Sequence, residues 1–226
     1  MKVTYLGHAC FLVEVNQKKL LFDPYISPNV LAQKIDIGTI RADYILLSHG
    51  HYDHVADVEQ IYHNHPATLV ANLEMVNWYK KRGITQSLSV NPGGKRSLDF
   101  GTIKAVYEPH ASSMPDGSYA GSAMGFVIQS SDKAFYFAGD TALHQDMKQI
   151  GIFYDLDVAI LPIGGTLTMD IEEALYAADY VGVKKIIGMH YDSFPDIEID
   201  HAQVKHMAEE RGKMLTLMEI GQTLEF

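Results

Sequence analysis

Seven side chains able to bind metal or move protons fall where apolar runs of the chain give way to polar turns. Four of them, His49, His51, Asp53 and His54, stand in one run, and His110, Asp140 and His190 follow at longer intervals. Imidazole nitrogens and carboxylate oxygens suit zinc, manganese, iron or nickel, and the set contains no thiolate, the softest ligand type. In an extended loop alternate residues point the same way, so His49 and His51 can converge on one ion. Asp53 and His54 enter a helix and turn toward a second. The tight backbone between the two histidines falls on Gly50. Seven donors are enough for two ions.

The elements that must position these residues are short. Strand-like runs occupy residues 3–6, 11–15 and 19–22, with a polar Asn16-Gln17-Lys18 turn and an Asp23-Pro24 stop. An apolar run at 44–47 leads straight into His49, and apolar spacing over 55–62 predicts a helix after it. Further strands are expected at 69–71, 103–107, 125–130, 133–138, 158–161 and 186–189, and further helices at 74–82, 171–181 and 201–210. His110, Asp140 and His190 each follow a predicted strand end, where loops on a rigid frame commonly carry function. Hairpins mixed with strand-helix units define an α/β class; periodicity alone goes no further.

Composition narrows the field. Hydrophobic residues make up 47% and charged residues 20% of 226 positions, the balance of an ordered globular chain, and one domain over 1–226 is expected. The formal charge of -10 disfavours nucleic acid and anionic membranes as partners. Bound cations would still draw in a small anionic substrate. Cys10 is the only cysteine, no export signal is visible, and no apolar run reaches the length of a membrane span, so a cytoplasmic, soluble protein is expected.

The order of several motifs carries a resemblance over essentially the whole chain. They are Gly7-His8-Ala9, Phe22-Asp23-Pro24, the run from His49 to His54, Glu108-Pro109-His110, Gly139-Asp140-Thr141, Pro162-Ile163-Gly164-Gly165 with Thr168-Met169, and Met189-His190-Tyr191. In these the chain resembles the metallo-β-lactamase superfamily, and within it the small metal-dependent hydrolases related to ascorbate-phosphate lactonases. The resemblance implies a four-layer αβ/βα sandwich of two mixed β-sheets flanked by helices. It implies that His49, His51 and His110 bind one divalent ion, that Asp53, His54 and His190 bind another, and that Asp140 bridges them. Zinc is the first expectation for the pair, with manganese, nickel or iron as alternatives.

The chemistry implied is cleavage of an ester-like bond in a lactone, carboxylic ester or phosphodiester, with Asp53 orienting the attacking water and relaying its proton. A secreted β-lactam hydrolase and a transfer-RNA processing nuclease fit less well, since no export signal or basic arm is visible. Two other classes stay open: an iron-dependent dioxygenase on the same fold, and a non-catalytic metal-stabilised binding protein. A homo-oligomer is a further expectation.

Other polar residues have a bland reading beside a functional one. His8 is a solvent-facing turn residue or a neighbour of the metals; Asp23 is an Asp-Pro turn or the orienting partner of a ligand imidazole. Ser112, Thr168, Met169 and Tyr191 line the pocket or merely pack. His63, His65, His144, His201 and His206 read as solvated positions without convergent partners, and Cys10 as buried packing.

Overall fold

A computed structural model describes residues 1–131 and 133–226. The first half builds β1 (Lys2–Gly7), β2 (Cys10–Val15), β3 (Lys18–Phe22), β4 (Tyr44–Leu46), β5 (Thr68–Ala71) and β6 (Ser87–Ser89), with helices α1 (Tyr52–Val55), α2 (Val58–Asn64) and α3 (Leu73–Lys80). The second half builds β7 (Lys95–Leu98), β8 (Gly101–Tyr107), β9 (Met124–Gln129), β10 (Ala134–Phe137), β11 (Val158–Pro162), β12 (Lys185–Met189) and β13 (Met214–Thr216). Its helices are α4 (Met147–Phe153), α5 (Ile171–Tyr180) and α6 (His201–Glu210), and a last strand, β14 (Thr223–Glu225), returns to pair with β1. Two seven-stranded sheets result, ordered β14-β1-β2-β3-β4-β5-β6 and β13-β12-β11-β10-β9-β8-β7. With helices against the outer faces, this is the expected four-layer αβ/βα sandwich.

Alternation along the strands explains the layering. Val3, Tyr5, Phe11, Val13, Leu20 and Phe22 pack with Phe126, Phe135 and Phe137 of the second sheet. Their neighbours of opposite parity, Leu6, Cys10, Leu21 and Ile45, pack instead with Val58, Ile61, Met75 and Val76 of the helices. A strand with period two thus serves both the inter-sheet core and a helix layer. Phe22 and Phe137 meet at 4.6 Å between ring centroids, and each fully buried ring of this kind contributes about 1.5–3 kcal/mol. Cys10 is buried, as expected.

Strand direction gathers the ends that matter. β1 and β3 are each antiparallel to β2, and β3, β4 and β5 are mutually parallel, so all four point one way. In the other sheet β8 and β10 are each antiparallel to β9, and β10, β11 and β12 are parallel. The C-terminal ends of these strands carry His8, Asp23, His49, His110, Asp140 and His190 to one edge of the sandwich.

Some expectations need correcting. The single helix over 55–62 is two, because the buried Asp57 turns away to accept hydrogen bonds from Ile26 N (2.6 Å), Ser27 N (2.9 Å) and the Ser27 hydroxyl. β6, β7, β13, β14 and α4 were not foreseen; β6, β7 and β14 are short edge strands rich in polar residues, with little apolar alternation to read. The turn between β2 and β3 closes on Asn16 and Gln17 alone, both with positive φ (47° and 62°), the backbone that matches hairpin twist. Among the described residues, no helix is long and apolar enough to cross a membrane.

Candidate metal centre

The segment after β4 is tethered to both sheets before it reaches the helix. Ser48 donates its N–H to Asp23 Oδ1 (2.8 Å) and its hydroxyl to Asp23 Oδ2 (2.5 Å), while its carbonyl accepts from Met124 N (3.0 Å) of β9. Gly50 is required by space: a Cβ there would lie 2.6 Å from Ala120 Cβ and 2.8 Å from Met114 Sδ. The Gly50 N–H is held by Ser112 Oγ at 3.2 Å, so Ser112 steadies the loop. His51 then stands as N-cap of α1, placing Asp53 and His54 in its first turn.

All seven predicted residues come together. His49, His51 and His110 bring one ring nitrogen each within 4.8 Å of one another, and so do the ligand-type atoms of Asp53, His54 and His190, joined by His8. Asp140 lies between the groups: its Oδ2 is 3.1 Å from His190 Nε2, 3.3 Å from His54 Nε2, 3.5 Å from His110 Nε2 and 3.8 Å from His49 Nε2. His49 Nε2 and His51 Nδ1 approach to 3.0 Å. The cluster is mostly sealed, with the Asp53 carboxylate (23% exposed) and His110 (16%) at its opening.

The donor chemistry fits divalent ions. His54 Nε2, both ring nitrogens of His190 and Asp140 Oδ1 are buried without a hydrogen-bond partner among the described residues. Each such orphan costs about 1–3 kcal/mol unless something else engages it. Burial, followed by the neighbouring His54, pushes His49 well below the usual imidazole range, and burial also lowers His51 and His110. Neutral imidazole is the form that ligates. Burial alone would raise Asp140 and Asp53, but His190 and His54 hold Asp140 well below the carboxylate range, and His8 with His54 does the same for Asp53. Burial works against a charge on His54, yet Asp140 and Asp23 on either side overcome it and raise its pKa.

Residues left undecided by the sequence now have places. Asp23 is buried and accepts from His54 Nδ1 at 2.9 Å, leaving Nε2 to face the cluster; burial raises its pKa. His8 is no solvent-facing turn residue: it is 1% exposed and meets Asp53. Met169 and Tyr191 are core packing, and the half-buried Thr168 bonds to the neighbouring Met169 carbonyl. His144 is not a solvated position, contrary to expectation: Glu108, buried under the His110 loop, bonds to His144 Nε2 at 3.1 Å as well as to the Tyr136 hydroxyl. Burial raises Glu108. His201 also has a partner, Asp192 Oδ2 at 2.6 Å. Ser193, on the loop after His190, was not anticipated, since a lone serine among loop residues has no periodic or spacing signal.

Two sheets presenting a histidine and aspartate cluster at one edge define the metallo-β-lactamase fold. Residues 18–191 match the family model described as beta-lactamase superfamily domain. A UPF0173 metal-dependent hydrolase of Flavobacterium johnsoniae is 47% identical over the full length of both chains. Igni18, described as a novel metallo hydrolase from Ignicoccus hospitalis, superposes with a TM-score of 0.89 at 33% identity, covering 100% of this chain and 98% of its own. An isothiocyanate hydrolase from Delia radicum gut bacteria shares the fold at 19% identity (TM-score 0.82, covering 100% and 99%). The chain belongs to the beta-lactamase superfamily, in the family of the UPF0173 metal-dependent hydrolases.

Proposed function

We propose that the chain is a metal-dependent hydrolase that cleaves an ester-like bond in a small molecule, with lactones, carboxylic esters and phosphodiesters as substrate classes. One ion would be held by His49, His51 and His110 and the other by Asp53, His54 and His190, with Asp140 shared. Zinc is the first expectation. The reading rests above all on Asp140, whose Oδ2 stands within 3.8 Å of four imidazoles while its Oδ1 is buried and unpartnered. When bound, such ions acidify water and polarise a carbonyl or phosphoryl oxygen.

The chain's own residues do the rest. Asp23 fixes the ring of His54, and Ser48 does the same for His49 Nδ1 at 2.9 Å. Asp53, the partly open carboxylate, orients the attacking water and carries its proton toward the leaving group. A net charge of -10 over the whole chain makes the cation-filled cleft the natural destination for an anionic substrate.

The test is a hydrolysis screen of zinc-loaded protein on p-nitrophenyl acetate, a δ-lactone and bis(p-nitrophenyl) phosphate, with and without chelator. Turnover of at least one, silenced by chelator and restored by metal, is the expected result. Oxygen uptake by iron-loaded protein with no hydrolysis would replace this reading with the dioxygenase one.

A further inference from the structure

We infer that His8 is a positioning residue of this centre: braced by Ser193, it holds the Asp53 carboxylate oxygen that faces the metal ligands. The inference rests on the hydrolase reading for its kinetic consequence, though not for its geometry. His8 Nε2 lies 3.1 Å from Asp53 Oδ2, and His8 Nδ1 lies 2.5 Å from Ser193 Oγ. The same Asp53 oxygen is 3.8 Å from both His54 Nε2 and His190 Nε2, so the contact acts on the atom turned toward the centre.

Hydrogen-bond chemistry fixes the tautomer. An ionised carboxylate only accepts, so Nε2 must carry the ring proton and donate it to Asp53. Nδ1 is then the acceptor and takes the proton of the Ser193 hydroxyl. Neither nitrogen keeps a free lone pair for a metal, which separates His8 from the imidazoles around Asp140 despite its closeness to them.

The ring has little freedom to leave this arrangement. It is enclosed by the rings of His190 (centroids 4.1 Å apart), His54 and Tyr25 (5.4 Å each) and Phe194 (5.5 Å). Its backbone sits at φ +55°, a left-handed conformation that non-glycine residues rarely adopt. That conformation is locked because the His8 carbonyl accepts from His190 N (3.0 Å) and from the Tyr5 hydroxyl (3.2 Å). One residue at the end of β1 therefore ties the first turn of α1 to the loop after β12. Polar partners behind metal-site groups affect affinity or activity by about 10- to 100-fold.

Two measurements test this. Nitrogen-15 spectra of the histidine rings, in metal-free and zinc-loaded protein, should show His8 protonated at Nε2 in both; an Nε2 that loses its proton on zinc loading would overturn the assignment by making His8 a ligand. His8→Ala should lower kcat about 10- to 100-fold, with KM changed less than about threefold and the zinc content of the wild type. His8→Gln, whose amide nitrogen can replace Nε2, should recover part of the loss. Wild-type kcat in His8→Ala, or no recovery in His8→Gln, would overturn the positioning role. Should wild-type turnover prove independent of metal, the hydrolase reading fails, while the tautomer result still decides the place of His8.

Discussion

The two ends of the cluster are built differently. At one end His51 and His110 are half-buried, and beyond the cluster's own residues neither ring has a hydrogen-bond partner among the described residues. At the other, His8 and His54 are sealed, and the outer ring nitrogen of each is held by Ser193 or Asp23. The open end is where these imidazoles reach the surface; the closed end is braced from outside the cluster. A site that must admit a molecule and still hold reacting groups within tenths of an ångström divides the two tasks between its ends.

The bridging position should break both ends at once. Asp140→Ala is expected to cut turnover at least about a thousandfold, the scale of several kcal/mol of metal-based stabilisation, and to lower metal content with circular dichroism unchanged. Next, Asp23→Ala leaves His54 Nδ1 and Ser48 unpaired in a buried pocket, so urea unfolding of the metal-free protein should show a loss of about 3 kcal/mol. His51→Ala, at the open end, should cost less than about 1 kcal/mol in the same assay while still abolishing activity. Gly50→Ala should destabilise by about 1–3 kcal/mol through overpacking against Ala120 and Met114.

The closed end also predicts an acid response. Burial, followed by the neighbouring His190, lowers the His8 pKa to about 4, so between that value and the ordinary pKa of about 6.5 the unfolded chain binds more protons. Its contribution is complete above about pH 6.5 and is lost as pH falls toward 4. His54, raised instead, acts above this window, since its contribution is complete below the ordinary imidazole pKa and fades as pH rises through the folded one. The thermal midpoint of metal-free protein should therefore rise between about pH 4 and 6.5, less steeply in His8→Gln, and turn down above about pH 6.5 as His54 loses its proton. The smallest effect belongs to His206→Ala, whose side chain is 70% exposed: stability should move by no more than about 0.5 kcal/mol, with activity intact.

The same division governs what could be read before the fold was known. His49, His51, Asp53 and His54 announce themselves by spacing, and His110, Asp140 and His190 by standing at strand ends, so the seven residues that meet were legible together. The hairpin-rich opening and the α/β alternation were legible because buried strands print a period-two pattern. Asp23 acts through the segment after β4 and the first turn of α1, and His8 and Ser193 through contacts between β1, α1 and the loop after β12, and no local pattern encodes which loops will face each other. Glu108 and His144 were hidden for the same reason: 36 residues separate partners that meet under the His110 loop. Asp57 broke a helix that hydrophobic spacing favoured, since a buried carboxylate with three donors outweighs intrinsic propensity.

In the reading proposed above, seven side chains form two adjoining metal positions that share Asp140. Elemental analysis of untagged protein, loaded with zinc and freed of excess, tests it most directly. Two zinc ions per chain, with fewer retained in Asp140→Ala, is the predicted result. No bound metal under any loading condition, or full retention of both ions in Asp140→Ala, would contradict it.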